Sequence, residues 1–372
     1  MAPPMLPLLA PAQGTSRRLA WIALSARGMA PATLAKGLAA EGGDPVRLLQ
    51  AGSHPRLPLS SPGGDGWKLA AGSILMSCQK QGIEIITPED GDWPESLRQL
   101  PDPPAALYVR GPLALLHRPK RVALVGSRRA GAVDLNGVRR LAEGLSRQGV
   151  TVVSGLAMGV DAAAHAGALG GSGGTIAVLA SGVEAPTPRY NERLAQRMLD
   201  SGSLLCSEHP PGTRPQKIYF PWRNRLIAAL SRGVVMAAVG EQSGALITAR
   251  LALDLGREVM VVPGPPDAAH AGGHRLIRQG ATLVTQVGEI LEQQGWPLED
   301  DPLAQPALPM ASDPQILKVI SILESGPAGM DRLALGSGLT LPELSTILAH
   351  LSLSGHIDLL PGDRYGLAAG PV

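Results

Sequence analysis

The stretch 217–225 brings cations, an amide and aromatic rings together, and it contains Lys217, Phe220, Trp222, Arg223, Asn224 and Arg225. Phe220 is the single phenylalanine in 372 residues, so we do not expect it to be ordinary core filling. Cations that follow a phosphate backbone beside a ring that stacks on a base are typical of proteins that bind single strands. The stretch therefore predicts a nucleic-acid site. In the alternative interpretation, Phe220 and Trp222 cover an apolar edge and the arginines pair with carboxylates.

A glycine-bounded turn at 126–131 is a second candidate, because it opens with Gly126, Ser127 and Arg128. A glycine lets the backbone approach a phosphate, and a guanidinium can donate two parallel hydrogen bonds to one. A P-loop would need Lys and then Ser or Thr where Ala132 and Val133 stand, and the turn is not GxGxxG either. We therefore expect an anion site without ATP hydrolysis. The alternative is a tight strand-to-helix turn with solvated arginines.

Two further polar turns could line the same pocket, one with Ser154 and Gly155 and one with Ser243 and Gly244. Asp161 and His165 share a helix face, but two ligands do not define a metal site. We expect an internal Asp–His pair. We find no paired acid and base and no nucleophile triad, and we expect no catalytic residue, metal or cofactor.

Seven short apolar runs must position these turns, and they occupy residues 122–125, 150–153, 175–179, 203–206, 234–238, 258–262 and 281–284. Continuous hydrophobicity predicts strands that are buried on both faces, with the intervening helices as crossovers of a parallel sheet. The fold class is α/β, a doubly wound Rossmann-like sheet. Such a sheet binds ligands at the carboxyl ends of its strands, where helices begin.

Composition divides the chain into six segments. They are a disordered lead (1–15), a small helical domain of the SAM-like or helix-hairpin-helix type (16–87), a linker (88–111), the Rossmann-like domain (112–296), a linker (297–313) and a winged helix of three helices and a β-hairpin (314–372). The helix-hairpin-helix motif would hold a phosphate at its turn, but its second glycine is Ala30 here. We expect ordinary helix packing there.

The charge is uneven along the chain, although the net charge is only +2. Residues 120–232 contain 15 Lys or Arg and 7 Asp or Glu. Residues 289–364 have the opposite balance, with 3 Lys or Arg and 11 Asp or Glu. A polyanion should therefore bind the middle of the chain. The two cysteines, Cys78 and Cys206, form no CxxC, and no apolar stretch is long enough to cross a bilayer. We expect a cytoplasmic protein without membrane contact.

Motifs in a specific order identify a resemblance across the α/β domain. They are GSR (126–128), SGLAMGVDAAAH (154–165), GTIAVLASG (174–182), SEHPPG (207–212), KIYFPWRNR (217–225), SGALITARLAL (243–253), GREVMVVPG (256–264) and LIRQGATLV (276–284). This pattern resembles the DNA-processing protein A (DprA/Smf) family. The resemblance implies a protein that binds incoming single-stranded DNA in natural transformation and passes it to the recombinase RecA. It also implies a homodimer formed through the α/β domain, and a DNA site made of Gly126, Ser127, Arg128, Lys217, Phe220, Arg223, Asn224 and Arg225.

Two other classes of protein compete with this interpretation. A nucleotide-binding enzyme of the lysine-decarboxylase-like phosphoribohydrolase type would share the core, but it needs a PGGxGTxxE motif with a catalytic Glu. Residues 263–266 read PGPP and no such Glu follows. A winged-helix transcription factor is disfavoured by the acidic C-terminal segment, which duplex phosphates would repel. We therefore expect a DNA-binding protein that is not an enzyme, and a winged helix that contacts protein.

Overall fold

A computed structural model describes residues 13–51, 66–299, 314–353, 357–360 and 362–367. The chain divides into two compact units, 1–298 and 299–372, and each is treated by itself. Residues 1–12 of the expected disordered lead and residues 300–313 of the expected second linker lie outside the described residues.

Four helices form the N-terminal part of the first unit: α1 Gln13–Ser25, α2 Pro31–Ala40, α3 Pro45–Gln50 and α4 Gly66–Lys80. Proline occupies the first position of α2 and of α3, where the absent N–H would have no helical partner. Asp44 caps α3 by accepting hydrogen bonds from the backbone N–H groups of Val46 (2.9 Å) and Arg47 (3.4 Å). Ile22 and Leu48 are fully buried and share one core with residues of the sheet. These helices therefore pack directly on the sheet.

The sheet has nine strands: β1 Glu84–Ile86, β2 Leu107–Arg110, β3 Arg121–Gly126, β4 Thr151–Ser154, β5 Thr175–Val178, β6 Leu204–Ser207, β7 Gly233–Ala237, β8 Glu258–Val261 and β9 Thr282–Leu283. Their order is β1-β2-β6-β5-β4-β3-β7-β8-β9. All seven expected runs form strands, and β3 to β9 are all parallel to one another. The predicted doubly wound α/β class is confirmed.

Two strands lie outside the expected boundaries of the α/β domain. β1 belongs to the expected helical domain, and β2 belongs to the stretch 88–111 that we interpreted as a linker. β2 pairs antiparallel with β6, and β1 pairs antiparallel with β2. The sheet therefore begins earlier in the chain than residue 112. The sequence interpretation failed here because these strands interrupt the strand–helix alternation on which it relied.

Helices cover both faces of the sheet: α5 Glu95–Arg98, α6 Ala132–Arg147, α7 Val160–Ala168, α8 Glu192–Asp200, α9 Tyr219–Ala229, α10 Ala245–Asp254, α11 Ala271–Arg278 and α12 Val287–Gln293. Residues of α6, α7 and α12 pack together on one face, and residues of α9 and α10 pack on the other. The chain runs from β3 outward to β6 and then returns to β7 on the other side of β3. The sheet therefore has a switch point between β3 and β7, where α/β proteins bind ligands.

The second unit contains α13 Pro314–Glu324, β10 Ala328–Gly329, α14 Met330–Ser337, α15 Leu341–Leu353, β11 Ile357–Leu360 and β12 Arg364–Leu367. Its core includes Val319, Leu333, Leu348 and Ile357. β11 and β12 form the expected hairpin, and β10 adds a third strand beside β12. This is the winged helix that the sequence predicts. Within the described part of the chain, no helix has the length and apolarity needed to cross a membrane.

Candidate functional site

A cleft of about 890 Å³ lies at the switch point between β3 and β7. Its walls are the turn after β3, the first turns of α9 and the segment 240–248, with Ala157, Asp161, Ala268, Ala269 and Ala271. It brings together eight of the twelve residues that we proposed as DNA-binding: Gly126, Ser127, Arg128, Phe220, Arg223, Asn224, Ser243 and Gly244. Ser154, Gly155, Lys217 and Arg225 do not line it.

Arg128 and Phe220 meet in this cleft, although they are far apart in sequence. The guanidinium carbon of Arg128 lies 5.1 Å from the centroid of the Phe220 ring, which is within the range of a cation–π contact. Arg128 is exposed and Phe220 is half-buried, so both present atoms to a ligand. A cation and an aromatic face at one point can hold a phosphate and stack on a neighbouring base.

The turn after β3 is more closed than the sequence suggested. A Cβ on Gly126 would lie 2.0 Å from the carbonyl oxygen of Ala237, so glycine is needed here for packing against β7. The Arg129 N–H donates to Ser127 Oγ (3.0 Å), and the Gly131 N–H donates to Asp134 Oδ2 (3.2 Å). These two amides are already engaged, and Asp134 places a carboxylate at the start of α6. The side chain of Arg128 is exposed, so it is the group of this turn that is open to a ligand.

Arg223 is buried at the floor of the cleft and ties two strand ends together. Its Nη1 donates to the carbonyl oxygens of Gly155 and Val178, both at 2.5 Å. A Cβ on Gly155 would lie 2.2 Å from that nitrogen, so this glycine admits the guanidinium. Burial lowers the pKa of Arg223, and the carboxylate of Asp161 opposes that change. Arg223 is thus a structural cation of the cleft floor.

Asp161 is the carboxylate that accompanies Arg223 in the interior. Its Oδ2 accepts hydrogen bonds from the N–H groups of Gly155 (3.2 Å) and Ala157 (3.3 Å). Burial raises the pKa of Asp161, while Arg223 and the two amides oppose the rise. Ser154 is also internal, because its buried hydroxyl donates to the carbonyl of Leu124 (2.6 Å). The expected pocket role of Ser154 and Gly155 is therefore wrong: both support the cleft from behind.

Arg225 points away from the cleft, because residues two positions apart on a helix lie on nearly opposite faces. It is buried, and its Nη2 lies 2.5 Å from Glu208 Oε2, while Nε lies 3.6 Å from Asp102 Oδ1. Arg225 therefore does not join the other members of the predicted DNA site in the cleft, and the alternative interpretation of carboxylate pairing holds for this residue. Lys217 is exposed two residues before α9, and its contact with DNA stays a prediction.

Sequence reasoning missed a histidine beside the cleft. His270 Nδ1 lies 2.7 Å from Asp267 Oδ1, and Nε2 lies 3.1 Å from Asp134 Oδ1. Burial lowers the pKa of His270, but the hydrogen bonds to Asp267 and Asp134 outweigh it, and the pKa is raised above its ordinary value. The Asp267–His270 spacing was the available signal, while Asp134 comes from a distant part of the chain.

Asn191 was also missed: its amide donates to the carbonyls of Leu156 (2.8 Å) and Ala157 (3.1 Å) and holds the loop before α7.

Asp161 and His165 are both internal, as expected, but they do not pair with each other. His165 Nε2 accepts a hydrogen bond from the Leu156 N–H (3.3 Å), and its Nδ1 lies 2.7 Å from Thr175 Oγ1. Thr175 Oγ1 in turn donates to the carbonyl of Val152 (2.6 Å). This network requires a neutral imidazole. Among the residues that the structure describes, no three His, Cys, Asp or Glu side chains converge as metal ligands.

The neutral state of His165 makes stability depend on pH. Burial lowers its pKa from 6.5 to about 3, and Arg223 acts in the same direction. Between these two values the unfolded chain binds a proton that the folded chain does not, so folding stability falls as the pH falls. We expect a loss of about 2 kcal/mol in unfolding free energy between about pH 7 and pH 5. Urea denaturation at both pH values measures it. In His165→Gln this term must be absent, and an unchanged pH dependence in that variant would contradict the assignment.

The parallel sheet with its switch-point cleft and the C-terminal winged helix together define the class of this protein, a Rossmann-like α/β protein with a winged-helix domain. Residues 84–295 match the family described as DNA recombination-mediator protein A, and residues 303–363 match the DprA winged helix domain. The chain belongs to the DNA recombination-mediator protein A (DprA/Smf) family.

Relatives with known sequences or structures resemble most of the chain. Protein Smf of Escherichia coli is 38% identical over 296 residues, which are 78% of this chain and 79% of the relative. DNA processing protein A from Streptococcus pneumoniae has a TM-score of 0.62 at 32% identity, covering 76% of this chain and 99% of that one. DNA processing protein A from Helicobacter pylori, in a structure concerned with its single-stranded DNA binding mode, has a TM-score of 0.52 at 28% identity, covering 57% and 94%.

Proposed function

We propose that this protein binds single-stranded DNA in the switch-point cleft and delivers it to RecA during recombination, as a binding protein rather than an enzyme. The observation that carries the proposal is the Arg128–Phe220 pair, which offers a phosphate ligand and a stacking surface at one point. Asn224, Ser243 and Gly244 add polar atoms to the lining of the same cleft. No base-specific pattern is needed for such a site, since every base has an aromatic face.

The charge distribution supports this proposal. The basic excess lies in residues 120–232, which contain β3 to β6, α9 and about half of the residues that line the cleft. A positive field raises the rate at which a polyanion finds the site. Membership of the family and the single-stranded DNA binding mode named for the Helicobacter pylori relative point in the same direction.

The partner RecA, the role in natural transformation, the cytoplasmic location and the homodimer through the α/β domain are finer parts of the proposal, and they follow from the resemblance. Light scattering should give twice the monomer mass. A monomer at micromolar concentration would contradict the dimer but not the DNA site.

Anisotropy titrations test the central proposal with a labelled oligonucleotide of about 16 nucleotides, single-stranded in one series and annealed to its complement in the other. We expect tight binding of the single strand and weaker binding of the duplex, because a paired base cannot stack on Phe220. The double variant Arg128→Ala/Phe220→Ala is the matched control and should lose most of the affinity. Equal affinity for both DNA forms, or an unaffected double variant, would overturn the proposal.

The winged helix should contribute little to this affinity, since the acidic C-terminal segment opposes a polyanion. A chain that ends at Leu298 keeps α12 and Trp296, which pack in the core of the first unit. We expect it to bind single-stranded DNA within about 2-fold of the full chain at equal salt, a difference of about 0.5 kcal/mol. A much larger loss of affinity would show that the second unit holds DNA.

A further inference from the structure

Three arginines lie side by side at the amino-terminal ends of neighbouring strands, which is the end of the sheet opposite to the cleft. Arg121 is the first residue of β3, Arg232 immediately precedes β7, and Arg257 immediately precedes β8. The strand register pairs Val122 with Gly233 and Gly233 with Glu258, so the three arginines occupy one row across neighbouring strands. The Arg232 N–H donates to the Arg121 carbonyl (2.8 Å), which extends the ladder to this row. Adjacent strands are about 4.8 Å apart, so three cationic side chains start within about 10 Å.

The three side chains also leave the sheet on the same face. Side chains alternate along a strand, so Arg121, Arg232 and Arg257 share a face with the second residue after each of them. Those residues are Ala123, Val234 and Val259, and all three belong to one hydrophobic cluster on one face of the sheet. Glu258 follows Arg257 and is on the other face by the same alternation. The three arginines therefore form a cluster on one face of the sheet, which we call the arginine cluster.

Among the residues that the structure describes, no carboxylate pairs with the arginines of this cluster. Within the described residues, none of the three arginines forms an ion pair, and the Nε of Arg257 is buried without a hydrogen-bond partner. Burial lowers the pKa of Arg121 to about 10, and the charges of Arg257 and Arg232 act in the same direction. Burial and the charge of Arg232 likewise lower the pKa of Arg257. Three mutually repelling cations held in one place form a site that a multivalent anion would stabilise.

Helix termini explain one member of the cluster and not the others. Arg121 Nε donates to the carbonyl of Leu230 (2.6 Å) at the end of α9, and its Nη1 donates to the carbonyl of Arg118. A cation at a helix C-terminus is ordinary, and these bonds fix the guanidinium in place. Arg232 is exposed, and no hydrogen bond or ion pair in the described structure engages its side chain. The Nε of Arg257 likewise has no hydrogen-bond partner, so no structural contact explains it.

We propose that Arg121, Arg232 and Arg257 form a second phosphate-binding site at the amino-terminal ends of β3, β7 and β8, opposite to the cleft. Arg121 is the pre-oriented member, and Arg232 and Arg257 close on the anion. The phosphate group can come from the backbone of a DNA strand that extends beyond the cleft, or from a free pyrophosphate or nucleotide. The DNA form rests on the proposed function, whereas the free-anion form does not.

The double variant Arg232→Ala/Arg257→Ala tests the site, with Arg193→Ala/Arg197→Ala as the control. Both pairs remove two positive charges, and Arg193 and Arg197 are exposed on α8 away from the cluster. Without ligand, the test variant should be at least as stable as the wild type at low salt, because the substitution relieves repulsion. A folding defect in the test variant would therefore appear as a loss of stability without ligand, and it would not be mistaken for a loss of phosphate binding.

Two measurements distinguish the sources of phosphate. In the first, pyrophosphate at constant ionic strength should raise the Tm of the wild type and of the control pair by at least about 2 °C more than that of the test variant, which keeps only the cleft as an anion site. In the second, the slope of log affinity against log salt is measured for single strands of about 5 and about 16 nucleotides. A DNA site predicts that the test variant loses about 1.4 from the slope for the longer strand, for two phosphate contacts, and nothing for the shorter one.

Each pattern of results decides the inference. A slope change confined to the longer strand supports the site with DNA as the source. A Tm response without any slope change supports the site for free phosphates. If the test variant equals the control pair in both measurements, the inference is overturned. Failure of the wild type to bind even the shorter strand would refute the proposed function of the cleft, and the pyrophosphate measurement would still test the arginine cluster.

Discussion

Phe220→Ala is expected to weaken single-stranded DNA binding by about 5-fold to 150-fold, because stacking of a base on an aromatic ring contributes about 1 to 3 kcal/mol. The salt dependence of binding should stay nearly unchanged, since the ring neutralises no phosphate. Arg128→Ala should also weaken binding, but it should flatten the slope of log affinity against log salt by about 0.7. Anisotropy titrations at several salt concentrations measure both quantities.

Phe220→Leu is the matched control for this prediction. Leucine keeps apolar volume at the half-buried position 220 but has no aromatic face, so it should bind DNA nearly as weakly as alanine does. Because Arg128 lies over the ring, the Arg128 and Phe220 substitutions should be non-additive. Normal affinity in Phe220→Ala, together with a large loss of stability, would assign the ring to the core.

Arg223→Met is expected to lower the free energy of unfolding by about 3 to 5 kcal/mol, because it leaves a buried carboxylate without its cation. Arg223 faces Asp161 in the interior and donates to the carbonyls of Gly155 and Val178. Urea or thermal denaturation measures the loss. Since both carbonyls belong to strand ends below the cleft, weaker DNA binding should accompany it.

Arg129→Ala is the control for Arg223→Met, because it removes one positive charge from an exposed rather than a buried position. Arg129 also lines the cleft but is exposed, so its removal should change stability by no more than about 0.5 kcal/mol. Adding Asp161→Asn to Arg223→Met should recover part of the lost stability, because it removes the orphaned charge. If Arg223→Met were as stable as Arg129→Ala, the buried pair would have no structural role.

Much of the cleft could be predicted because its members carry local signals. The run 217–225 held the only phenylalanine and several cations, and the run 126–128 followed an apolar strand. The rule that parallel strands present their carboxyl ends at one edge then placed the Gly126, Phe220 and Ser243 segments together. Their convergence in one cleft needed no knowledge of side-chain contacts.

The roles of the two arginines on α9 could not be predicted in this way. Arg223 and Arg225 have the same side chain, and only Asn224 separates them in a charged, aromatic run. Which one lies beneath the cleft depends on the rotation of α9 about its axis, which is set by packing of Leu226 and Ile227 against the sheet. Their carboxylate partners come from distant segments, Asp161 from the first turn of α7 and Glu208 from the position that follows β6.

The sequence by itself determined the class of this protein. Seven continuous apolar runs separated by helices specify a parallel sheet, and that pattern depends on each segment's own composition. Only the tertiary structure decided that β1 and β2 extend the sheet, that Arg225 is buried away from the cleft, and that Arg121, Arg232 and Arg257 form one row. The physical reason is that strand order and helix rotation bring together groups that are 17 to more than 100 residues apart, and no local pattern encodes such neighbours.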